Sequence, residues 1–268
     1  MQFSSASDLR EAIDELVAVP TLLIALDFDG TLAPEVDDPD DARSLPQAHA
    51  QLLRILEIPD TRLALISGRA IENLEYVSQL PRSVLFGGSH GLEFRFDEGA
   101  AEAPLDEDEA AALKTLNTIT HEVADTAEGA WVELKPAGQA IHTRLCSAED
   151  GERVQREALA RVAQELPTVT VRKGKNNVEF AIHDATKADA IHRLRDYVGA
   201  DAVFFAGDDV TDEDAIAVLG SHDLGVRVGE APSVARLRVP GTADIAELLV
   251  LLADRREAVI SARKTDGA

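Results

Sequence analysis

The chain is short of positive charge. Its 268 residues carry 26 Lys and Arg against 49 Asp and Glu, a formal net charge of −23. That balance argues against nucleic acid and against an anionic membrane as main partners. It reads as a solvated acidic surface, which could suit high salt, rather than as an acidic docking surface. It also sets a difficulty: an anionic ligand would need a local positive site built against the field of the whole protein. Cysteine is nearly absent. Cys146 is the only one, so no internal disulfide can form and a reducing compartment is expected. Long apolar runs are missing too. The stretches LVAVPTLLIAL and LLVLLA are too short to cross a bilayer as helices. The N-terminal MQFSSASDLREAIDEL lacks a basic region followed by an apolar core, so no signal peptide is expected. A soluble cytoplasmic protein is the expectation, with no internal repeat, low-complexity tract or long linker.

What is present is enough apolar material, 45% of the chain, for one large core or two modest ones. Leu22–Leu26 is a continuous apolar run, as expected for a parallel strand covered on both faces. Short apolar strands follow at Arg62–Ile66 and Val84–Phe86, with helical spacing over Asp8–Val19 (capped by Ser7), Pro46–Leu56 and from about Ala70. Strand alternating with helix predicts a doubly wound α/β sheet. Asp97–Asp108 is acidic and loop-like. Beyond it the pattern becomes helix, two strands, helix, two strands, the strands being Ala130–Lys135, Ala140–Cys146, Thr168–Val171 and Asn177–Ile182. The α/β pattern then resumes with a helix at Lys187–Tyr197, a strand at Ala202–Ala206, a helix at Thr211–Leu219, a strand at Leu224–Val228 and a last helix from about Thr242. One domain inserted in another is predicted: a parallel-sheet core over 1–103 and 185–268, and a smaller α+β unit over 104–184.

The strand Leu22–Leu26 runs straight into Asp27-Phe28-Asp29-Gly30-Thr31. Two carboxylates that close repel each other, and burying either without a partner is costly. In open parallel sheets, ligands bind beyond the carboxyl ends of the strands. The strand Ala202–Ala206 also ends in acids, Gly207-Asp208-Asp209 followed by Thr211-Asp212-Glu213-Asp214. If the two strands are neighbours, several carboxylates converge and need a cation to coexist. Oxygen-only ligands at that density suit Mg²⁺. Either cluster alone could instead supply helix caps and turns.

These residues resemble the haloacid dehalogenase-like (HAD) phosphohydrolases. Asp27 to Thr31 is similar to their first motif, Ser67 at the end of a strand to the second, Lys187 at a helix start to the third, and Gly207 to Glu213 to the fourth. The four in order and spacing are highly specific and cover essentially the whole chain. The resemblance implies that Asp27 is a nucleophile forming an aspartyl phosphate. It implies that Asp29 protonates the leaving oxygen and then activates water, and that Ser67 and Lys187 hold the phosphoryl oxygens. It also implies Mg²⁺ on Asp27, the backbone carbonyl of Asp29 and Asp208, with Asp209 orienting the shell and Asp212 as a further candidate. The chemistry agrees: a phosphate ester repels anionic attack, so charge must be neutralised and the nucleophile held in line. One departure is Ala188, where the family often has Gly after the third-motif Lys; it could shift the helix start.

An α+β cap placed after the second motif resembles the sugar-phosphatase branch, where such a cap excludes water and reads the leaving group. Three further stretches resemble the trehalose-6-phosphate phosphatase family in particular: Gly88-Ser89-His90-Gly91-Leu92-Glu93, Glu133-Leu134-Lys135, and Gly174-Lys175 with Glu179. The resemblance implies sugar contacts at Glu133, Lys135, Lys175 and Glu179, with Gly68, Arg69 and His90 also among the substrate-binding residues. Arg69, Lys135, Arg144, Arg172, Lys173, Lys175 and Lys187 could concentrate positive potential near the cleft. Other uses stay open. Glu133 and Lys135 could form a cross-strand ion pair, and His90 could shape a turn. Arg144 and His142 read as an exposed strand face, and Trp131 as cap packing rather than a sugar-stacking platform. The alternatives to a trehalose-6-phosphate phosphatase are a phosphatase for sucrose 6-phosphate or mannosyl-3-phosphoglycerate, and a non-catalytic sugar-phosphate-binding module. The expected partner is a small sugar phosphate, with neither nucleic acid nor membrane, in a monomer that could associate with a trehalose-6-phosphate synthase.

Overall fold

The structure is a computed structural model that describes residues 3–97, 99, 105–174, 176–182 and 185–266. It divides into two compact units, Met1–Glu102 with Ala185–Ala268, and Ala103–Asp184.

The first unit is built on a seven-stranded sheet. Its elements in chain order are α1 (Ala6–Leu16), β1 (Leu22–Leu26), α2 (Pro46–Leu56), β2 (Thr61–Ile66), α3 (Ile71–Ser78), β3 (Leu85–Gly88) and β4 (Glu93–Arg95). After the second unit come α6 (Lys187–Val198), β9 (Ala202–Gly207), α7 (Val210–Ala217), β10 (Leu224–Val228), β11 (Leu237–Val239) and α8 (Thr242–Asp266). The strand order is β11-β10-β9-β1-β2-β3-β4. All pairs are parallel except β3 with β4. β1 lies at the centre, with Leu22 to Leu26 in register with Thr61 to Leu65 on one side and Ala202 to Ala206 on the other.

Strand side chains alternate between faces, and β1 shows why its run is unbroken. Leu22, Ile24 and Leu26 join a core with α1, α2, α3 and α8 residues such as Ile13, Leu52, Leu74 and Leu252. Leu23 and Ala25 join the opposite core, with Ala190, Ile191 and Leu194 of α6 and Ala215 and Ile216 of α7. A strand buried on both faces has no position for a polar residue until it leaves the sheet. The same parity sends Phe28 to the first core and puts Asp27 on the side of α6.

Two short strands escape the sequence reading, β4 and β11, and α1 is capped by Ser5 rather than Ser7. Ser5 accepts from the N–H of Asp8 at 3.2 Å while its own N–H donates to the Asp8 carboxylate at 3.1 Å. That reciprocal box fixes the first turn one residue before the helix.

At the other end of the sheet, Arg256 of α8 is fully buried, and among the described residues no carboxylate is bound to it. Its Nε donates to Thr61 Oγ1 at 3.0 Å. Nη1 donates to the carbonyls of Val17 and Val19, and Nη2 to those of Pro20 and Asp60, all at 2.6 to 2.8 Å. One guanidinium thus satisfies the loops that feed β1 and β2.

The second unit holds α4 (Glu107–Ala124), β5 (Trp131–Lys135), β6 (Gly138–His142), α5 (Ala148–Glu165), β7 (Thr170–Lys173) and β8 (Asn177–Ala181). Its antiparallel sheet has the order β5-β6-β8-β7. Leu116, Ile119 and Val123 of α4 and Val154, Ala158 and Val162 of α5 pack with Ile141, Val178 and Phe180. β6 starts two residues earlier than the sequence suggests and ends at His142. Thr143 to Cys146 then forms a turn, with the Cys146 N–H donating to the Thr143 carbonyl at 3.1 Å.

Candidate active site

Where β1 leaves the sheet, Asp27 is almost fully buried. It faces α6, whose first residue is Lys187. Thr186 caps that helix in a reciprocal box with Asp189, so the start stays at Lys187 and Ala188 does not shift it. The equally buried Lys187 Nζ donates to Asp27 Oδ1 and to Asp212 Oδ1, each at 2.6 Å. Asp212, in the first turn of α7, has no exposed surface. Its other oxygen accepts from the Asp209 N–H at 2.8 Å.

Asp27, Asp208 and Asp212 form a group of three carboxylates, one oxygen of each lying within 4.8 Å of the others. Three hard anionic donors around one lysine leave excess negative charge, which suits a small divalent cation. Asp209 stands at the N-cap of α7 and outside this group. Without a cation, burial pushes Asp27 up to about 8 against the pull of Lys187, with Asp212 and Asp208 adding to the rise. Burial, and then Asp212, raises Asp208 to about 6.

The glycines of both acidic motifs serve close approach. Gly30 sits at φ +75°, and a Cβ there would lie 2.1 Å from Asp208 Oδ2. A Cβ on Gly207 would lie 2.2 Å from Asp212 Cγ. The chain then folds back, Gly30 N–H donating to Ala33 O at 2.8 Å.

A cavity of about 520 Å³ collects Asp27, Asp29, Ser67, Gly68, Arg69, His90, Lys187 and Asp209, with Asn73 and Thr211. Ser67 directly follows β2, and its Oγ accepts from the Arg69 N–H at 3.2 Å. Arg69 grips Asp29 with two donors, Nε to Oδ2 at 2.6 Å and Nη2 to Oδ1 at 2.8 Å. Its Nη1 donates to Asn73 Oδ1 at 2.5 Å. Both cations lining this cavity, Arg69 and Lys187, therefore contact carboxylates.

The Gly88–Glu93 segment acts on this loop. Ser89 and His90 take left-handed backbone angles, φ 49° and 60°. Their N–H groups donate to Arg69 O at 2.8 Å and Ser67 O at 2.9 Å. Glu93, buried, accepts from Ile71 N–H at 3.1 Å and from Ser89 Oγ at 2.7 Å. His90 thus shapes a turn and also lines the cavity. That Glu93 fastens the start of α3 and that Asn73 backs Arg69 are not legible in the motif pattern.

In the second unit, Glu133, Lys135 and Glu179 share one face of the sheet, since Glu133, Ala140 and Glu179 are opposite one another in register. Lys135 Nζ pairs with Glu179 at 2.8 Å. Glu133 contacts His142 Nε2 at 2.7 Å. Lys175 lies outside the described residues. Trp131 is 40% exposed and is absent from the packed cluster of this unit, which overturns the cap-packing reading: β5 is an edge strand, and position 131 points away from the helices.

The family model for trehalose-phosphatase matches residues 25–245. The chain belongs to the trehalose-phosphatase family. It is 31% identical over 251 residues to a trehalose-phosphate phosphatase of Mycobacterium avium, covering 87% of this chain and 62% of that one. It is 30% identical over 220 residues to a bifunctional trehalose-6-phosphate synthase/phosphatase of Thermoproteus tenax, covering 81% of this chain and 30% of that one. The chain therefore spans less than two thirds of these relatives' lengths. Its fold matches an Aspergillus fumigatus trehalose-6-phosphate phosphatase structure with TM-score 0.68 at 22% identity, covering 95% of this chain and 99% of that one. A haloacid dehalogenase-like hydrolase from B. subtilis matches at 0.52 and 15% identity, covering 85% of this chain and 98% of that one. The fold is α/β and HAD-like. Among the described residues, no helix is long and apolar enough to cross a membrane.

Proposed function

We propose that this member of the trehalose-phosphatase family hydrolyses trehalose 6-phosphate to trehalose and phosphate with Mg²⁺. The observation that carries the reading is Asp27, held at the end of the central strand by Lys187 beside Asp208 and Asp212. The relatives' names supply the sugar.

In this reading Asp27 attacks phosphorus and forms an aspartyl phosphate. Lys187 and Ser67 hold the phosphoryl oxygens, one by charge and one by hydrogen bond. Asp29 gives a proton to the leaving sugar oxygen and later takes one from water. Both its oxygens are occupied by Arg69, so the substrate phosphate must draw Arg69 away before Asp29 can act. Asp27, Asp208, Asp212 and the Asp29 carbonyl would hold Mg²⁺, with Asp209 behind them. Bound there, the cation would neutralise phosphoryl charge. The unit over 104–184 acts as the cap, with Glu133, Lys135, Lys175 and Glu179 reading sugar hydroxyls. We place the enzyme in the cytoplasm as a monomer that associates with a synthase, since the Thermoproteus tenax relative names both activities in one chain.

Phosphate release from trehalose 6-phosphate, sucrose 6-phosphate, glucose 6-phosphate and mannosyl-3-phosphoglycerate, with Mg²⁺ and with a chelator, tests this. Mg²⁺-dependent preference for trehalose 6-phosphate is expected. Preference for another sugar would discard the cap assignment, and no release from any would leave a binding module.

A second expectation concerns pH. The folded-state values of Asp27 and Asp208 lie above the ordinary 3.8, near 8 and 6. The fold then holds protons that the unfolded chain has released, so chelated protein should lose stability as pH rises from about 5 to about 8. Mg²⁺ competes with those protons, and its stabilisation should grow over the same range. Thermal unfolding at both pH values checks it; a larger Mg²⁺ shift at pH 5 would be the contrary result.

A further inference from the structure

We infer that Trp131, backed by His142, forms an aromatic platform on which a pyranose ring of the substrate's leaving group stacks. This rests on the sugar-phosphatase reading above. It adds a specificity surface formed by residues that do no chemistry on the phosphate.

The two side chains face each other across β5 and β6 in register. Their rings stack with centroids 4.7 Å apart and planes 8° apart. Glu133 fixes the imidazole through His142 Nε2 at 2.7 Å. The stacked pair lies on the sheet face away from Ile141, Val178 and Phe180, which fill the unit's core with α4 and α5. The packing needs of the unit are therefore met without Trp131. An indole left 40% exposed keeps a large apolar area in water, and such area calls for a ligand more often than a lone aliphatic does.

The surroundings choose the ligand. On the same face, Lys135 of β5 reaches over β6 to Glu179 of β8 at 2.8 Å. The reach is possible because β6 presents only Gly138 and Ala140 between them. An apolar plane thus borders a row of carboxylates and an ammonium. A pyranose is built the same way, with a C–H face and a rim of hydroxyls that both donate and accept. A protein partner would seek more apolar area than one indole, and a bare phosphate would find carboxylates here.

Trp131 is the only tryptophan of the chain, so its fluorescence reports this surface alone. Chelated wild-type protein is titrated with trehalose and with trehalose 6-phosphate, inorganic phosphate serving as control. A saturable change in emission with both sugars and none with phosphate is expected. Trp131→Ala should raise KM for trehalose 6-phosphate about tenfold, the scale of one lost stacking contact. It should leave p-nitrophenyl phosphate hydrolysis and the thermal midpoint unchanged, and Trp131→Phe should restore most of the loss. Trehalose 6-phosphate hydrolysis by wild type with silent Trp131 emission would overturn the platform and leave the proposed function standing. So would equal losses on both substrates, or an emission that follows protein concentration instead of sugar. Failure of wild type to release phosphate from any sugar phosphate would overturn the proposed function, and the platform with it.

Discussion

Asp27→Asn removes phosphate release from trehalose 6-phosphate by at least about 10³-fold, on the order of 4 kcal/mol of barrier, while the metal-free fold keeps or gains stability. The two halves have separate causes. An amide of the same shape cannot attack phosphorus, so the covalent route is closed. Stability survives because Asp27 is one of three grouped carboxylates facing a single lysine. Burial raises Asp27 to about 8, so its ionisation opposes folding at neutral pH. Lys187 keeps Asp212 at 2.6 Å in the variant. Phosphate release and thermal unfolding in chelator at pH 8 check both halves. Turnover above a tenth of wild type would remove Asp27 as nucleophile. A lower midpoint in chelator would mean its pairing with Lys187 outweighs the repulsion.

Arg256→Met costs about 3–5 kcal/mol of stability and leaves the chemistry of the folded enzyme intact. The substitution keeps the aliphatic stem but withdraws the donors from the buried Thr61 hydroxyl and Val17 carbonyl and from the partly buried carbonyls of Val19, Pro20 and Asp60. Removing one side of a buried charged network leaves the other side unsatisfied, which is the expensive case. For a chain of this size the midpoint should fall by roughly 10 °C. Arg256 serves the entry ends of β1 and β2, and the candidate site lies at their exit ends. The kcat at a temperature where the variant is folded should therefore match wild type. A fall of less than about 2 °C would show that water replaces the guanidinium.

How much was legible in the chain depends on where charge is buried. β1, β2 and β9 stand out because both faces are apolar. β4 is Glu93-Phe94-Arg95 and β11 is Leu237-Arg238-Val239, and their charged residues are buried. Arg95 Nη1 donates to the carbonyls of Arg82 and Asp97 at 2.6 and 2.5 Å, and its guanidinium lies 4.4 Å over the Phe86 ring. The Phe86 ring and the Arg82 carbonyl come from β3 and the turn before it, so the local pattern reads as a polar loop. The site divides the same way. Asp27, Ser67 and Lys187 were readable from motif order, and one cavity holds them. Asp209 and Asp212 exchange weight: neighbours in a run of acids look alike, and only the turn into α7 makes the first a cap and buries the second against Lys187. Trp131 was misread because its exposure depends on β5 being an edge strand, which pairing order alone decides.

The central position of β1 carries a consequence for synthesis of the protein. β1 is completed by β9, and Asp27 by Lys187, Asp208 and Asp212, all from the last third of the chain. The second unit pairs only segments near one another in sequence, so it can form while the ribosome still holds the rest. Asp27 is made early and waits, on a strand with one side unpaired, until β9 emerges. Nascent chains stopped before residue 185 therefore carry Asp27 without β9, Lys187, Asp208 or Asp212, and the candidate site is complete only after all of these have emerged.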